Sequence, residues 1–288
     1  MITKKSARVS ALLLLAMIAR GQSPEEAASL FLSATALTNP PPVEGIADAQ
    51  AYQEKFVAAL EASLGAPVGY KAALTNPRAQ EIFGASGPLS GVLLEKMLLT
   101  NGATIKADAG AVLMMEADLL VRVGSTDFIT AETDAELLRT VDALIPFLEF
   151  PDLGTSSDVP RNAVTLKALN AGARLGVLGE PILMEGIHDW PQRLAFFRVV
   201  IKTDADEWIG DGSGGNLLGN PMTALRWLRD DIKASGRTLK PGDLLSLGSL
   251  TSPVKATPGT CVTASYYNLA LEGVPTVKAC VAESMIDE

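Results

Sequence analysis

The spacing of apolar residues predicts helices near the N-terminus and mainly strands towards the C-terminal end. Residues 24–37 and 48–64 have the three-to-four-residue period of amphipathic helices, with Asp48 as the expected cap of the second helix and Gly65 just after its end. Three more helices are predicted, each beginning at an Asn-Pro pair or a Thr-x-x-Glu capping box: residues 77–83, 133–144 and 222–234.

Continuous apolar runs predict buried strands between these helices. The run over 112–123 ends in β-branched residues, which favours a strand over a helix, and the runs at 68–75, 145–151 and 196–201 are interpreted in the same way. The glycine-rich stretch 210–216 predicts a flexible turn. It is not a phosphate-binding loop, because no Gly-Lys-Ser/Thr follows it.

Three acidic residues interrupt two of these apolar runs. Glu116 and Asp118 lie two positions apart in one predicted strand, so their side chains point to the same face. Glu149 lies inside the run that follows the helix at 133–144. Carboxylates crowded in an apolar setting repel one another and are costly to bury, whereas Mg²⁺ or Mn²⁺ neutralises them. The pattern therefore favours a metal-binding carboxylate triad, with an acidic strand face turned to water as the alternative.

Lys71 is a second polar residue in an apolar strand. Lysine is rarely buried without a partner, so Lys71 indicates a nearby acid, a metal-bound anion or a substrate carboxylate. The alternative is a lysine at the end of a strand whose ammonium group reaches water. The single histidine, His188, lies in a polar stretch without a nucleophile elbow or a zinc-type cysteine cluster nearby, and is interpreted as a surface residue.

Composition narrows the class of protein. The chain has 288 residues, of which 48% are hydrophobic and 20% charged, so it can bury a sizeable core and is not intrinsically disordered. Its net charge is −9, and no basic run occurs beyond the first eight residues. Nucleic acid is therefore not an expected partner.

The N-terminus has the pattern of a secretory signal. Three basic residues precede an apolar run over 9–19, and small residues at Ala19 and Gly21 suit cleavage after Gly21. This pattern predicts a periplasmic or secreted protein. A cytoplasmic protein with an ordinary first helix is the alternative.

The two cysteines also bear on whether the protein is exported. Cys261 and Cys280 are equidistant from a predicted hairpin turn near residues 270–271, so they would face each other across two strands. A disulfide, which suits an oxidising compartment, and a reduced pair in the core both remain open.

Several motifs, taken in order, resemble the 2-keto-4-pentenoate hydratase branch of the fumarylacetoacetate hydrolase superfamily. Gly69-Tyr70-Lys71 is similar to that branch's G-Y-K strand, and Phe147-Leu148-Glu149 to the segment of its third metal acid. Met115-Glu116-Ala117-Asp118 is similar to its E-x-E metal strand, with aspartate where many members have glutamate. Asn170 matches an active-site asparagine, although Leu169 stands where many members have aspartate. Residues 218–221 and 242–251 match C-terminal signatures, and the similarity spans roughly residues 45–282.

This resemblance implies an α+β fold, a mixed β-roll with N-terminal and peripheral helices. The chain would then divide into a signal peptide at 1–21, a helical region at 22–64 and a catalytic domain at 65–288. The implied site has Mg²⁺ or Mn²⁺ on three acids, two catalytic residues and two substrate-binding residues: respectively Glu116, Asp118 and Glu149; Lys71 and Asn170; and Ser249 and Thr251.

The implied activity is that of a homo-oligomeric lyase that adds water to a small 2-oxo acid such as 2-hydroxypenta-2,4-dienoate, without membrane contact after processing. The alternatives are 4-oxalocrotonate-type decarboxylation, C–C hydrolysis of acylpyruvates, and a non-catalytic 2-oxo-acid binding protein. Hydrolysis is disfavoured, because the superfamily's hydrolases generally use a His-Glu pair and His188 lies outside the matching segments.

Overall fold

The computed structural model describes residues 21–184 and 189–283, so most of the predicted signal peptide and His188 lie outside the described residues. No helix in these two ranges is long and apolar enough to cross a membrane. The helices are α1 (Pro24–Leu32), α2 (Ile46–Leu64), α3 (Pro77–Phe83), α4 (Asp134–Arg139), α5 (Ala163–Ala168), α6 (Trp190–Phe196) and α7 (Pro221–Ala234).

The strands form two sheets. They are β1 (Pro67–Ala73), β2 (Leu89–Leu94), β3 (Leu98–Thr100), β4 (Thr104–Ile105), β5 (Met114–Val123), β6 (Val141–Phe150), β7 (Leu175–Leu178), β8 (Ile182–Leu183), β9 (Arg198–Thr203), β10 (Trp208–Ser213), β11 (Leu244–Ser246), β12 (Val254–Lys255), β13 (Cys261–Tyr267) and β14 (Thr276–Val281). The nine-stranded sheet follows the path β2-β1-β11-β5-β6-β7-β3, with β12 joined to β5 and β8 to β6. The five-stranded sheet has the order β10-β9-β13-β14-β4.

Local capping explains most of the helix boundaries. Asn76 and Asn220 cap α3 and α7 as predicted, and the Thr133 side chain accepts a hydrogen bond from the Glu136 amide in the predicted capping box. The prediction of Asp48 as a cap is wrong, because α2 begins two residues earlier, after Gly45. The first helix is also shorter than predicted. It ends at Leu32, since the chain turns there and Leu37 forms a β-bridge with Thr155.

Three predicted segments differ from the structure, two of them because pairing in a sheet overrides the local pattern. The helix predicted over 133–144 ends at Arg139, and the strand β6 already begins at Val141, where it can pair with the buried strand β5. The predicted turn over 210–216 is mostly strand β10 paired with β9. The strand predicted from residue 196 begins at Arg198, because Phe196 ends the helix α6.

Close backbone approach explains why glycine lies in β10. A Cβ atom at Gly212 would lie 1.8 Å from the carbonyl oxygen of Leu250, so only glycine allows this strand to reach the segment around residue 250. The second sheet thereby packs against the loop that follows β11.

The two cysteines occupy the predicted cross-strand positions. Cys261 pairs with Cys280 in the β13–β14 register, and the two form a disulfide. The hairpin prediction is therefore confirmed. Of the two alternatives for the cysteines, the structure shows the disulfide and not the reduced pair. The bond joins two strands of the smaller sheet.

Candidate active site

The three acidic residues lie together on one face of the central strand pair. Antiparallel pairing of β5 with β6 places Glu116 directly opposite Glu149, and Asp118 lies two residues along β5 on the same face as Glu116. The exposed fractions of Glu116, Asp118 and Glu149 are 5%, 0% and 2%. The alternative of an acidic strand face turned to water is therefore wrong, because all three carboxyl groups are buried.

Each acid has a different partner. Lys71 forms a buried ion pair with Glu149 through Oε1. Asp118 accepts a hydrogen bond from the Ser246 hydroxyl at Oδ2 and one from the Leu119 amide at Oδ1, where the N–O distance is 2.5 Å. The Ser249 side chain lies beside Glu116 and acts to lower its pKa. One lysine and two hydroxyl groups thus face three carboxyl groups.

Strand order brings Lys71 to the acids. The strand β11 lies between β1 and β5, with Lys71 paired to Ser246 in parallel register and Ser246 paired to Leu120. A Cβ atom at Gly69 would lie 1.9 Å from the Leu244 carbonyl oxygen, so the glycine of the Gly-Tyr-Lys sequence permits this pairing. The prediction that Lys71 has an acidic partner is confirmed, and the water-reaching alternative is wrong.

Burial and mutual repulsion shift the acids' pKa values. Burial, followed by the charge of Glu149, raises the pKa of Glu116 to about 7, although Lys71 and the Ser249 side chain act in the opposite direction. Burial and the charge of Glu149 likewise raise the pKa of Asp118 well above its usual range, against hydrogen bonds from Ser246 and Leu119. The site therefore needs positive charge to keep these groups ionised.

The three acids offer carboxylate oxygens that suit a hard divalent cation, and Lys71 contacts one of them. In residues 21–184 and 189–283, no group of three His, Cys, Asp or Glu side chains is already arranged to hold a metal ion. Glu149 is instead engaged by Lys71. Its other oxygen, Oε2, is buried without a hydrogen-bond partner. Three facing carboxylates with one unsatisfied oxygen form a donor set of the kind that Mg²⁺ and Mn²⁺ prefer.

Asn170 and Thr251 use their polar groups to position backbone. The Asn170 amide accepts from the Val92 amide at 2.7 Å and donates to the Val92 carbonyl at 2.9 Å, and Gln53 donates to its Oδ1 at 3.2 Å. The Thr251 hydroxyl accepts from the Ala117 amide at 3.0 Å, between the two acids of β5. Both residues thus hold the strands that carry the site, while their direct roles in chemistry or substrate binding stay predictions.

Sequence reasoning missed three buried polar groups near the site. Ser246 contacts Asp118, and Lys167 donates to the Ser90 hydroxyl at 2.9 Å and to its carbonyl at 3.1 Å. Burial lowers the pKa of Lys167 to about 8. Ser246 lies in a predicted strand and Lys167 in a short amphipathic segment, and neither local pattern distinguishes it from a surface residue.

Tyr266, the third missed residue, joins the two sheets beneath the acids. Its hydroxyl lies 2.6 Å from the Asp118 carbonyl oxygen and 2.9 Å from the Phe147 carbonyl oxygen, and it accepts from the Phe147 amide at 3.2 Å. The side chain is fully buried, and burial raises the pKa of Tyr266. Its sequence context is an ordinary strand, so only the packing of the second sheet reveals this contact.

Replacing Tyr266 with phenylalanine should lower the free energy of unfolding by about 1–3 kcal/mol, because it leaves the buried Phe147 amide without its partner. Urea-induced unfolding measures the change. Tyr267→Phe is the matched control, since Tyr267 is the next residue and is 42% exposed. Equal stability of the two variants would contradict a bridging role for the Tyr266 hydroxyl.

Comparison with known proteins places this geometry in context. No protein-family profile matches the chain. The chain is 29% identical over 267 residues to 2-keto-4-pentenoate hydratase 2 of Dechloromonas aromatica (strain RCB), covering 90% of this chain and 98% of that protein.

Solved structures share the fold. The 4-oxalocrotonate decarboxylase of Pseudomonas putida G7, complexed with magnesium and adipate, superposes with a TM-score of 0.77 at 20% identity, covering 90% of this chain and 95% of that one. The fumarylpyruvate hydrolase of Pseudomonas aeruginosa, in complex with Mn²⁺ and pyruvate, has a TM-score of 0.54 at 11% identity, covering 75% and 89%. These likenesses confirm the predicted α+β architecture.

Proposed function

We propose that this chain, which is 29% identical to a 2-keto-4-pentenoate hydratase, belongs to that branch of the fumarylacetoacetate hydrolase superfamily and is a metal-dependent hydro-lyase acting on a small 2-hydroxydienoate or 2-oxo acid. The observation that carries the proposal is the β5–β6 register, which sets Glu116 opposite Glu149 with Asp118 on the same face. A hydratase that matches 90% of the chain supports the reaction class.

In this proposal Glu116, Asp118 and Glu149 hold Mg²⁺ or Mn²⁺. The bound cation would supply Lewis-acid polarisation of the substrate's 2-oxo oxygen and stabilise negative charge on it. Hydrogen bonds from Ser246 and the Leu119 amide fix the Asp118 carboxylate, and the Ser249 side chain orients Glu116. These contacts hold the carboxylates in position, so that the side chains need not rearrange during the reaction.

The remaining site residues serve the substrate. The Lys71 ammonium is the positive side chain beside the acids, so it would bind the substrate's carboxylate or carry a proton to its carbon chain. Ser249 and Thr251 lie on the loop after β11 and would bind the same carboxylate, while Asn170 would orient substrate or water.

The proposed reaction adds one water molecule to 2-hydroxypenta-2,4-dienoate. The enol proton is lost and C5 gains a proton, which gives the 2-oxo-3-enoate. Hydroxide then adds at C4 while C3 takes a proton, and the product is 4-hydroxy-2-oxopentanoate. Both steps pass negative charge through the 2-oxo oxygen, which is the atom that positive charge at the site stabilises.

The direct test is to incubate the purified protein with 2-hydroxypenta-2,4-dienoate and Mg²⁺ or Mn²⁺ and to follow loss of the dienoate absorbance. We expect loss that yields 4-hydroxy-2-oxopentanoate and that EDTA abolishes, because the carboxylates alone leave the 2-oxo oxygen without positive charge. Turnover that persists in EDTA would contradict metal dependence. No turnover of this substrate or of other 2-oxo acids would favour the binding-protein alternative.

Decarboxylation is the second candidate, because the matched decarboxylase superposes over 90% of the chain and the reaction develops the same charge on the 2-oxo oxygen. The two reactions differ in that hydration adds water to the substrate, whereas decarboxylation releases carbon dioxide from it. Release of carbon dioxide from 4-oxalocrotonate, together with failure to hydrate the dienoate, would establish decarboxylation in place of hydration.

We also propose export and self-association. The signal-like pattern at residues 1–21 predicts a mature protein that begins after Gly21, and N-terminal sequencing of the native protein tests this. Retention of Met1 would contradict export. The homo-oligomer is tested by light scattering of the protein after size-exclusion chromatography.

A further inference from the structure

The pair of Lys71 and Glu149 differs from every other ion pair in the described residues. Both side chains are almost fully buried, at 3% and 2% exposure, whereas each of the other pairs has at least one side chain that is 30% or more exposed. A buried pair carries a large desolvation cost, which is offset only when the geometry is complete. This pair is incomplete, because Glu149 Oε2 has no hydrogen-bond partner.

The pair also keeps Glu149 from acting with the other two acids. Glu116 and Glu149 are direct cross-strand partners, yet no described group of three acids is arranged to hold a metal ion. Glu149 is turned to the lysine of β1, across the intervening strand β11. The ammonium group thus occupies one carboxylate of the proposed triad.

We propose that Lys71 is an exchangeable counter-ion of the metal site: it neutralises Glu149 until a divalent cation displaces it, and the displaced ammonium then binds the substrate's carboxylate. The inference rests on the proposed function, since it assumes that the three acids bind the cation. It adds a competition between Lys71 and the metal for Glu149, and therefore an order in which cation binding precedes binding of the anionic substrate.

The charges of the site support such an exchange. Three ionised carboxylates carry −3, the ammonium group carries +1 and a divalent cation carries +2, so the loaded site is formally neutral with Lys71 still protonated. Without the cation, Lys71 is the positive side chain that compensates the charge of Glu149. The lysine thus limits repulsion among the carboxylates, while its positive charge opposes entry of the divalent cation.

The test compares Mn²⁺ binding to the full chain and to Lys71→Met by isothermal titration calorimetry. We expect the variant to bind Mn²⁺ at least about tenfold more tightly, a difference of about 1.4 kcal/mol, because both the competitor and its repulsion are removed. In EDTA the variant should have a lower Tm than the wild type, and saturating Mn²⁺ should close much of that gap. Exchange predicts that the variant is less stable without metal but binds Mn²⁺ more tightly. Simple damage to the fold would weaken both stability and Mn²⁺ binding.

Lys167→Met is the matched control. Lys167 is also a buried lysine, but it contacts Ser90, and the charges that shift its pKa belong to Asp231, Arg237 and Glu54 instead of the three acids. Its Mn²⁺ affinity should equal that of the wild type. Where Lys71→Met does not fold, Lys71→Gln keeps a hydrogen-bond donor beside Glu149 without the charge, and it too should bind Mn²⁺ more tightly.

The outcomes separate the two proposals. Equal or weaker Mn²⁺ binding by the Lys71 variants, with normal binding by the wild type, overturns the exchange and leaves the proposed function standing. Absence of Mn²⁺ binding in the wild type and in the variants overturns the metal-dependent function, and the exchange with it.

Discussion

Replacing Glu149 with glutamine should reduce kcat by roughly a thousandfold or more, with little change in the far-ultraviolet circular dichroism spectrum. Loss of one preorganised electrostatic contact commonly costs about 10²–10³ in kcat, and this substitution also removes a proposed metal ligand. Glutamine has nearly the same shape and can still accept a hydrogen bond from Lys71, so the buried lysine keeps a partner. Steady-state loss of the dienoate absorbance in Mg²⁺ measures the effect.

Asp142→Asn is the matched control for this substitution. Asp142 lies on the same strand β6, but it is exposed and pairs at 2.7 Å with Arg122. We expect it to retain the activity of the wild type. Full activity of the Glu149 variant would refute the metal-triad assignment, whereas loss of activity in both variants would indicate a general effect on the strand.

Removing the disulfide should lower the free energy of unfolding by about 3 kcal/mol. The bond closes a loop between residues 19 positions apart, and a loop of that length restricts the unfolded chain by about this amount. The double variant Cys261→Ser with Cys280→Ser, unfolded in urea, gives the value.

Reductant provides the internal control for the disulfide. Dithiothreitol should lower the stability of the wild type towards that of the double variant and leave the variant unchanged. If dithiothreitol destabilises the wild type but not the double variant, the loss of stability is due to the disulfide. A wild type that is insensitive to reductant, with no free thiols before treatment and two afterwards, would show that the bond contributes little.

Sequence reasoning performed best where the determining interactions are local. The caps at Asn76, Thr133 and Asn220 were predicted, because a cap is a hydrogen bond between residues two or three positions apart. The shared face of Glu116 and Asp118 follows from strand alternation alone. The cross-strand position of Cys261 and Cys280 follows from symmetry about a hairpin turn.

Sequence reasoning failed where a segment distant in the chain decides the secondary structure. Residues 141–144 continue a helical pattern, but pairing with β5 makes them strand. The stretch 210–216 has the glycine content of a turn, yet Gly212 allows β10 to lie against Leu250, which is far away in sequence. Local propensity is a weak preference, and the burial and hydrogen bonding gained by pairing in a sheet exceed it.

The sequence by itself determined the composition of the site: three acids in two apolar strands and a lysine that needed a partner. Only the tertiary structure decided how those charges are shared. It assigns Lys71 to Glu149, Ser246 to Asp118, and Tyr266 to the backbone between the two acid-bearing strands. The physical reason is that strand alternation specifies a side chain's face from its neighbours, whereas its partner depends on strand order. Here that order places β11 between β1 and β5, segments more than 100 residues apart from it in the chain.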